Sequence, residues 1–139
     1  MKLLFIHSDY LEYNVTEAVK GIAEPIDDTV KGGRMENALV VFTAVEKGDL
    51  QGLNDLLKQT IGEIMKTAAT LKVKGVVLYP YAHLSSNLAP PHEAVKVIKA
   101  IDKKLRESDL DVMRSPFGWY KAFGLYCKGH PLAEMYREY

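Results

Sequence analysis

The sequence lacks the features that mark secreted, membrane-bound or highly charged proteins. Cys127 is the only cysteine among 139 residues, so no disulfide can form within the chain. Lysine and arginine together number 18, as do aspartate and glutamate, which leaves no net charge to attract nucleic acid over the whole surface. No apolar run is long enough to cross a membrane, and the opening MKLLFIHSDY is too short in its apolar run for a signal peptide. We therefore expect a cytoplasmic protein without a membrane partner.

Repeats, low-complexity segments and internal linkers are also absent. With 47% hydrophobic residues, the chain can form one apolar core, and a single domain spanning residues 1–139 is predicted. Residues 30–35 are predicted to be a loop. Their pair Gly32-Gly33 has neither the spacing nor the following helix of a phosphate-binding motif, and no cofactor is expected.

Apolar periodicity predicts the secondary structure. Residues 53–71 carry apolar side chains at helical spacing, broken only by Gly62 at a cost of roughly 1 kcal/mol. A second helix is predicted to begin at Pro90-Pro91, because proline suits the first helical turn. Apolar runs predict six strands, the first two forming a hairpin that turns at Ser8-Asp9: 2–7, 10–16, 38–45, 73–79, 111–114 and 120–127. This order implies an α/β domain, a mixed β-sheet with two main helices packed on it.

Two stretches carry charge of one sign. Residues 9–28 hold six acidic residues against one lysine, and such a surface repels phosphate, so nucleic acid should approach from elsewhere. The outward face of the second helix is basic, with Lys96, Lys99, Lys103, Lys104 and Arg106. A basic face of this kind is usually only solvated, and we interpret it so.

One unusual lysine lies in the segment SPFGWYKAFGLYCKGHPLAE, which begins at Ser115. Pro116 and Gly118 signal a turn, and the residues from Tyr120 onwards alternate as a strand, with Lys121 on the apolar side. Burial would lower the pKa of the Lys121 ammonium towards working pH, as suits a catalytic group. The alternative is a lysine whose stem lies on the core while its head reaches water, and the pattern does not choose between the two.

A second polar cluster, YPYAHLSSN, follows the buried strand at 73–79. Ligands gather at the carboxyl ends of such strands. A serine hydrolase would pair one of the two serines with His83, but there is no nucleophile-elbow sequence and no aspartate follows to orient the imidazole. We therefore expect the serines to cap backbone groups, and His83 to serve acid–base or electrostatic catalysis beside Lys121.

A metal site is a further alternative. Its ligands would be His83, His92, His130 and Glu134, of which the last two are spaced to share one face of a helix. Pro131 weakens that helix and no pair of cysteines supports the site, so no metal is expected.

Three groups of residues together resemble one family. They are HSDY near the start, YPYAHLSSNLA in the middle, and SPFGWYKAF with CKGHPLAE towards the end. Over the whole length, from Met1 to about Tyr139, the sequence resembles the N-terminal editing domain of archaeal threonyl-tRNA synthetases. The resemblance implies a compact α/β fold shared with D-aminoacyl-tRNA deacylases, usually paired as a homodimer. It leaves open whether the chain is an excised domain or a stand-alone protein.

The resemblance also implies an activity, the hydrolysis of serine wrongly attached to threonine tRNA at the terminal adenosine. Threonine differs from serine by one methyl group, worth only about 1–3 kcal/mol in a pocket, so a second site that excludes threonine is useful. The family is thought to use the tRNA's own terminal hydroxyl and no protein nucleophile. The implied partners are the acceptor end of tRNA(Thr) carrying serine and the catalytic core of the synthetase, in cis or in trans.

Matching positions in the motifs imply the site residues. Lys121 and His83 would hold and polarise the water and the developing oxyanion, with Lys121 preferred as a cation. Tyr120 and Glu134 would line the same pocket and place the substrate amine and ribose. Five further positions would bind serine and the adenosine, mostly through backbone: Val45, Pro80, Ala82, Pro116 and Phe117.

Two other functions stay open. The chain could be a D-aminoacyl-tRNA deacylase acting on many tRNAs, which selects by chirality instead of size. It could also be a non-catalytic module whose basic second helix grips the tRNA acceptor stem, with salt-sensitive binding and no hydrolysis.

Overall fold

The chain forms a six-stranded mixed sheet that carries two long helices. The structure, a computed structural model, describes residues 1–139. Its strands are β1 (Lys2–Ala18), β2 (Gly32–Ala44), β3 (Gly75–Pro80), β4 (Asp111–Arg114), β5 (Trp119–Cys127) and β6 (Glu134–Glu138). Its long helices are α1 (Leu53–Leu71) and α2 (Pro91–Arg106), and short 3-10 turns cover Asp28–Val30 and Ala82–Leu84. The predicted α/β class, mixed sheet and pair of helices are confirmed.

Strand order places the ends of two parallel strands side by side. The order is β4-β3-β2-β1-β5, with β6 also paired to β1. β2, β3 and β4 run parallel, because α1 and α2 provide the crossover connections, whereas β1 is antiparallel to all its neighbours. Thr43 at the end of β2 therefore lies beside Pro80 at the end of β3.

The predicted hairpin near the start of the chain is wrong. Residues 2–18 form one long strand. A register shift against β5 between Ser8 and Leu11 bends this strand without reversing it. The Ser8 hydroxyl donates a hydrogen bond to the Tyr126 carbonyl at 2.9 Å, so the apparent turn signal serves the bend.

Two other strand assignments also differ from the predictions. Residues 32–35 begin β2 instead of forming a loop, because they pair with β1. Glu134 begins β6 opposite Ile6, so it does not share a helix with His130. A five-residue strand just after Pro131 offers too short a pattern to be recognised in the sequence.

Apolar side chains are buried on both faces of the sheet. The larger core packs the sheet against α1 and α2 through residues such as Phe5, Ile64 and Ile98. Full burial of one such side chain contributes about 1.5–3 kcal/mol. The smaller core, on the other face, includes Phe42 and Tyr79. None of the helices combines the length and apolarity needed to span a membrane.

Candidate active site

A cavity of about 420 Å³ lies at the carboxyl ends of β2 and β3. Its walls come from these strand ends, the N-terminal half of α2, the loop after β3 and the segment that leads into β5. This is the edge of an α/β sheet at which ligands bind, and small-molecule sites have volumes of about 300–1,000 Å³. The loop at 79–87, predicted as a ligand site, contributes directly to the cavity.

The fold brings most of the predicted site residues together. The following residues line the cavity: Val45, Pro80, Ala82, His83, Phe117, Tyr120 and Lys121. Pro116 precedes this wall without lining the cavity, and Glu134 lies elsewhere. Three segments that are distant in the sequence thus meet at one site.

Glu134 is exposed on β6, and its Oε1 lies 3.7 Å from the Cys127 Sγ. Burial and the negative charge of Glu134 raise the pKa of the Cys127 thiol, which keeps that thiol protonated at neutral pH. Within one chain, Glu134 therefore neighbours Cys127 and not the cavity.

The side chain of Lys121 is held within the protein. Its Nζ donates a hydrogen bond to the Trp119 carbonyl at 3.1 Å and lies 4.9 Å from the centre of the Tyr79 ring. Burial lowers the pKa of the Lys121 ammonium to about 8, and the negative charge of Glu24 partly opposes this shift. Of the two alternatives, a buried ammonium and a solvated head, the structure supports the first. The ammonium lies at an apolar cavity, where the effective dielectric constant is low.

Three aromatic side chains that line the cavity, those of Tyr79, Tyr81 and Phe123, were not predicted as site residues. The rings of Tyr79 and Phe123 lie 5.1 Å apart, as do those of Tyr81 and His83, and all four residues line the cavity. Burial raises the pKa of the Tyr79 hydroxyl, so this group stays neutral. The sequence does hold a signal, since Tyr79 and Tyr81 flank Pro80 at the strand end.

The hydroxyl of Ser85, in the loop after β3, takes part in two hydrogen bonds within the protein. It donates to the Glu46 carboxylate at 2.5 Å and accepts the Asn87 backbone N–H at 3.0 Å. The predicted capping role is confirmed for this serine. No hydrogen bond joins Ser85 to His83, so the pair expected of a serine hydrolase is not formed.

The residues of the metal alternative do not assemble. His83 lines the cavity, whereas His130 Nε2 lies 2.8 Å from His7 Nδ1. No three His, Cys, Asp or Glu side chains are grouped so that they could hold a metal ion.

The fold and the cavity define an α/β domain with a ligand-sized cavity at the carboxyl ends of its parallel strands, beside the Lys121 ammonium. Its largely apolar cavity contains no activated serine or cysteine nucleophile, so its own groups can act by electrostatic stabilisation and orientation.

Comparison with known proteins identifies the family. The chain belongs to the archaea-specific editing domain of threonyl-tRNA synthetase, whose family model matches residues 1–139. It is 49% identical over 138 residues to a threonine–tRNA ligase of Methanococcus aeolicus, covering 99% of this chain and 21% of that protein. A threonine–tRNA ligase of Methanococcus maripaludis strain C5 is 52% identical over 138 residues, covering 99% and 22%. One of Thermococcus kodakarensis is 47% identical over 137 residues, again covering 99% and 22%.

Family membership confirms the resemblance drawn from the three motifs. It makes this chain an editing domain of the archaeal threonyl-tRNA synthetase type, which implies a role in proofreading. The chain spans about a fifth of the length of the curated relatives it matches.

Proposed function

We propose that this domain hydrolyses the ester that links L-serine to the 3'-terminal adenosine of tRNA(Thr). The observation that carries the proposal is the Lys121 ammonium, partly buried at a cavity of about 420 Å³. A positive charge held in this way stabilises the negative charge that develops on an ester carbonyl during hydrolysis. The matching partners are the acceptor end of the tRNA and the catalytic core of the synthetase, in cis or in trans, in the cytoplasm.

The proposed reaction needs no protein nucleophile. A water oxygen attacks the ester carbonyl, and the Lys121 cation stabilises the oxyanion. His83 and Tyr120, at the same cavity, orient the water and the substrate, and the neighbouring ribose hydroxyl assists. The bond between the acyl carbon and the ribose oxygen then breaks, and the ribose oxygen takes up a proton that the attacking water gives up. Serine and a tRNA with a free hydroxyl are released. The Ser85 hydroxyl supports this scheme, because its hydrogen bonds to Glu46 and Asn87 leave it unprepared to act as a nucleophile.

Deacylation of two substrates tests the proposal. The 139-residue chain is mixed with seryl-tRNA(Thr) or threonyl-tRNA(Thr), and the rate of ester loss is measured in single turnover. Fast loss of serine with retention of threonine is expected. Faster hydrolysis of D-tyrosyl-tRNA than of seryl-tRNA would identify a D-aminoacyl-tRNA deacylase instead. Salt-sensitive tRNA binding without hydrolysis would identify a binding module.

The double variant Ser85→Ala/Ser86→Ala serves as the mechanistic control in that assay. It should keep most of the activity, because the proposed scheme uses neither hydroxyl. An acyl-enzyme trapped on either serine of the wild-type chain would overturn the RNA-assisted mechanism.

We also propose that the chain forms a homodimer in which Glu134 acts from the partner. Exposed aromatic residues on β5 and β6 support an interface there, with Tyr120 61%, Tyr126 66% and Tyr136 45% exposed. Sedimentation equilibrium measures the pairing. Mixing Lys121→Met with Glu134→Gln chains tests a shared site, because a symmetric dimer would recover about a quarter of wild-type activity. If the sites are separate, mixing adds no activity to that of the two variants alone, and a Glu134→Gln chain that is active by itself would exclude Glu134 from the site.

Pocket size gives a sharper prediction at Ala82. Ala82→Val should slow serine hydrolysis roughly ten- to a hundredfold, because overpacking a tight site costs about 1–3 kcal/mol. Asn87→Ala should be mild, since the bonds that Asn87 forms, to Ser85 and Lys47, use its backbone. Steady-state deacylation measures both variants, and thermal melts confirm that they fold. A fully active Ala82→Val with an inactive Asn87→Ala would show that side chains define the pocket.

A further inference from the structure

One buried charged group takes no part in the mechanism above. Glu24 belongs to the acidic stretch that was predicted to form a surface, but its side chain is only 8% exposed. The prediction is wrong for this residue. A buried carboxylate is stable only with strong partners, so its partners indicate what it does.

The partners of Glu24 connect several parts of the site. Arg114 donates to both carboxylate oxygens, from Nη1 to Oε2 at 2.6 Å and from Nη2 to Oε1 at 2.9 Å. The Phe117 backbone N–H donates to Oε2 at 2.7 Å. Arg114 also lies 3.4 Å from the Asp102 carboxylate on α2. Bidentate, charge-assisted bonds of this kind fix direction as well as distance.

Glu24 remains ionised in this setting. Burial by itself would raise the pKa of its carboxyl, but hydrogen bonds from Arg114 and the Phe117 N–H outweigh burial, and the charge of Lys99 adds to them. The pKa of Glu24 is consequently lowered from its usual value. An ionised carboxylate, paired with Arg114, therefore lies behind the cavity wall.

The backbone of the same region is closely fitted. The Glu24 N–H donates to the Phe117 carbonyl at 3.0 Å, and the Val19 N–H donates to the Gly118 carbonyl at 2.9 Å. Gly118 has a φ of 80°, and a Cβ there would lie 2.6 Å from the Cα of Ala23. The loop at 19–27 thus supports the wall at 117–119.

This support extends to Lys121 through Trp119. The Glu24 carbonyl accepts the Trp119 indole N–H at 2.9 Å, and the Trp119 carbonyl accepts the Lys121 ammonium at 3.1 Å. The negative charge of Glu24 also favours the charged form of Lys121. Glu24 therefore acts on Lys121 through both geometry and charge.

We propose that the Glu24–Arg114 ion pair is the positioning element of the editing site, holding the wall at 117–119 in place and, through Trp119, the Lys121 ammonium at the cavity. Neither Glu24 nor Arg114 lines the cavity, so both act through Lys121 and not on the substrate. This inference rests on the deacylase function proposed above.

The Glu24→Gln variant of the 139-residue chain tests the charge. Single-turnover hydrolysis of seryl-tRNA is measured from pH 6 to pH 9 and corrected for spontaneous ester loss. We expect a loss of about 10- to 100-fold at pH 7, because small displacements at a reacting centre have effects of this size. The pH at which catalysis is lost should also move down, because Lys121 without its negative neighbour releases its proton at lower pH.

Two variants separate charge from position. Glu24→Asp keeps the charge but shortens the side chain, so its rate should fall while the pH midpoint stays near that of wild type. Glu63→Gln removes a carboxylate that is paired with Arg137 at 3.0 Å, away from the cavity, and should change neither quantity. A purely structural role for Glu24 would lower the melting temperature without moving the midpoint.

The protonation of Lys121, followed by NMR of labelled lysine side chains, gives a readout that needs no tRNA. If wild type hydrolyses no seryl-tRNA, the proposed function fails, while a lower Lys121 midpoint in Glu24→Gln still supports the positioning role. An unchanged Lys121 midpoint together with an unchanged rate in Glu24→Gln would overturn the positioning role of Glu24. Should Glu24→Gln not fold, Arg114→Lys keeps the positive charge without the bidentate bond. A wild-type rate in a folded Arg114→Lys would equally contradict the proposal.

Discussion

Lys121→Met should lose almost all deacylation of seryl-tRNA and still melt at a higher temperature than wild type at pH 7. Removing one group that stabilises an oxyanion typically slows a reaction by about 10²–10³. The same ammonium is partly buried, and burial lowers its pKa to about 8. A shift from 10.5 to about 8 means that the charged ammonium destabilises the folded state by at most about 3 kcal/mol. Partial solvation reduces this destabilisation to about 1–2 kcal/mol. Methionine avoids this cost.

The pH dependence of unfolding checks the origin of the gain. Because the pKa of Lys121 is lower in the folded than in the unfolded chain, unfolding takes up a proton between about pH 8 and pH 10.5. The contribution of Lys121 to wild-type stability therefore improves as pH rises through this window. The advantage of Lys121→Met should be complete below pH 8 and disappear towards pH 10.5.

Thermal melts at several pH values measure this advantage, with Lys58→Met as the control. Lys58 is exposed on α1 and takes part in no salt bridge, so its replacement should alter neither activity nor the pH dependence. Wild-type turnover in Lys121→Met would remove this lysine from the mechanism.

The second large effect is expected for Gly118→Ala. Gly118 has a φ of 80°, and an alanine in this left-handed conformation costs about 1–2 kcal/mol. Its Cβ would also meet the Cα of Ala23 at 2.6 Å, a backbone contact that cannot simply rotate away. We therefore expect both a loss of stability larger than the backbone term and at least a tenfold loss of activity, because the wall at Phe117 must shift.

Gly62→Ala is the matched control for this prediction. Gly62 lies within α1, and a Cβ there meets nothing within 4 Å. This variant should be more stable than wild type by about 0.5–1 kcal/mol and fully active. Urea unfolding and deacylation measure both variants. Equal stability changes in the two variants would mean that the wall does not depend on Gly118.

Local patterns in the sequence determined the helices and most of the strands. In α2, Ala94, Ile98, Ile101 and Leu105 recur at helical spacing, and all four are buried as predicted. The periodicity of a helix reports the direction of its buried face, so no knowledge of distant residues is needed. Lys121 differs, because its place on the apolar side of a strand allowed both a buried ammonium and a solvated head, and only the structure distinguishes them.

Medium-range features were harder to determine from the sequence. Ser8 and Asp9 have the composition of a turn, but pairing with β5 keeps them within one bent strand. Cross-strand partners therefore outweigh local preference, which is weak in strands. The strand β6 also depends on cross-strand pairing, since its five residues pair with β1.

The cavity and its support were decided only by the tertiary structure. Three motifs indicated the residues of the site, but their meeting at one strand edge depends on the crossover connections of the parallel sheet. Glu24 carries no signal in an acidic stretch. It becomes a buried ion-pair partner only because folding places it beside Arg114, 90 residues further along the chain. Burial and electrostatic pairing depend on distances in space, whereas the sequence records only distances along the chain.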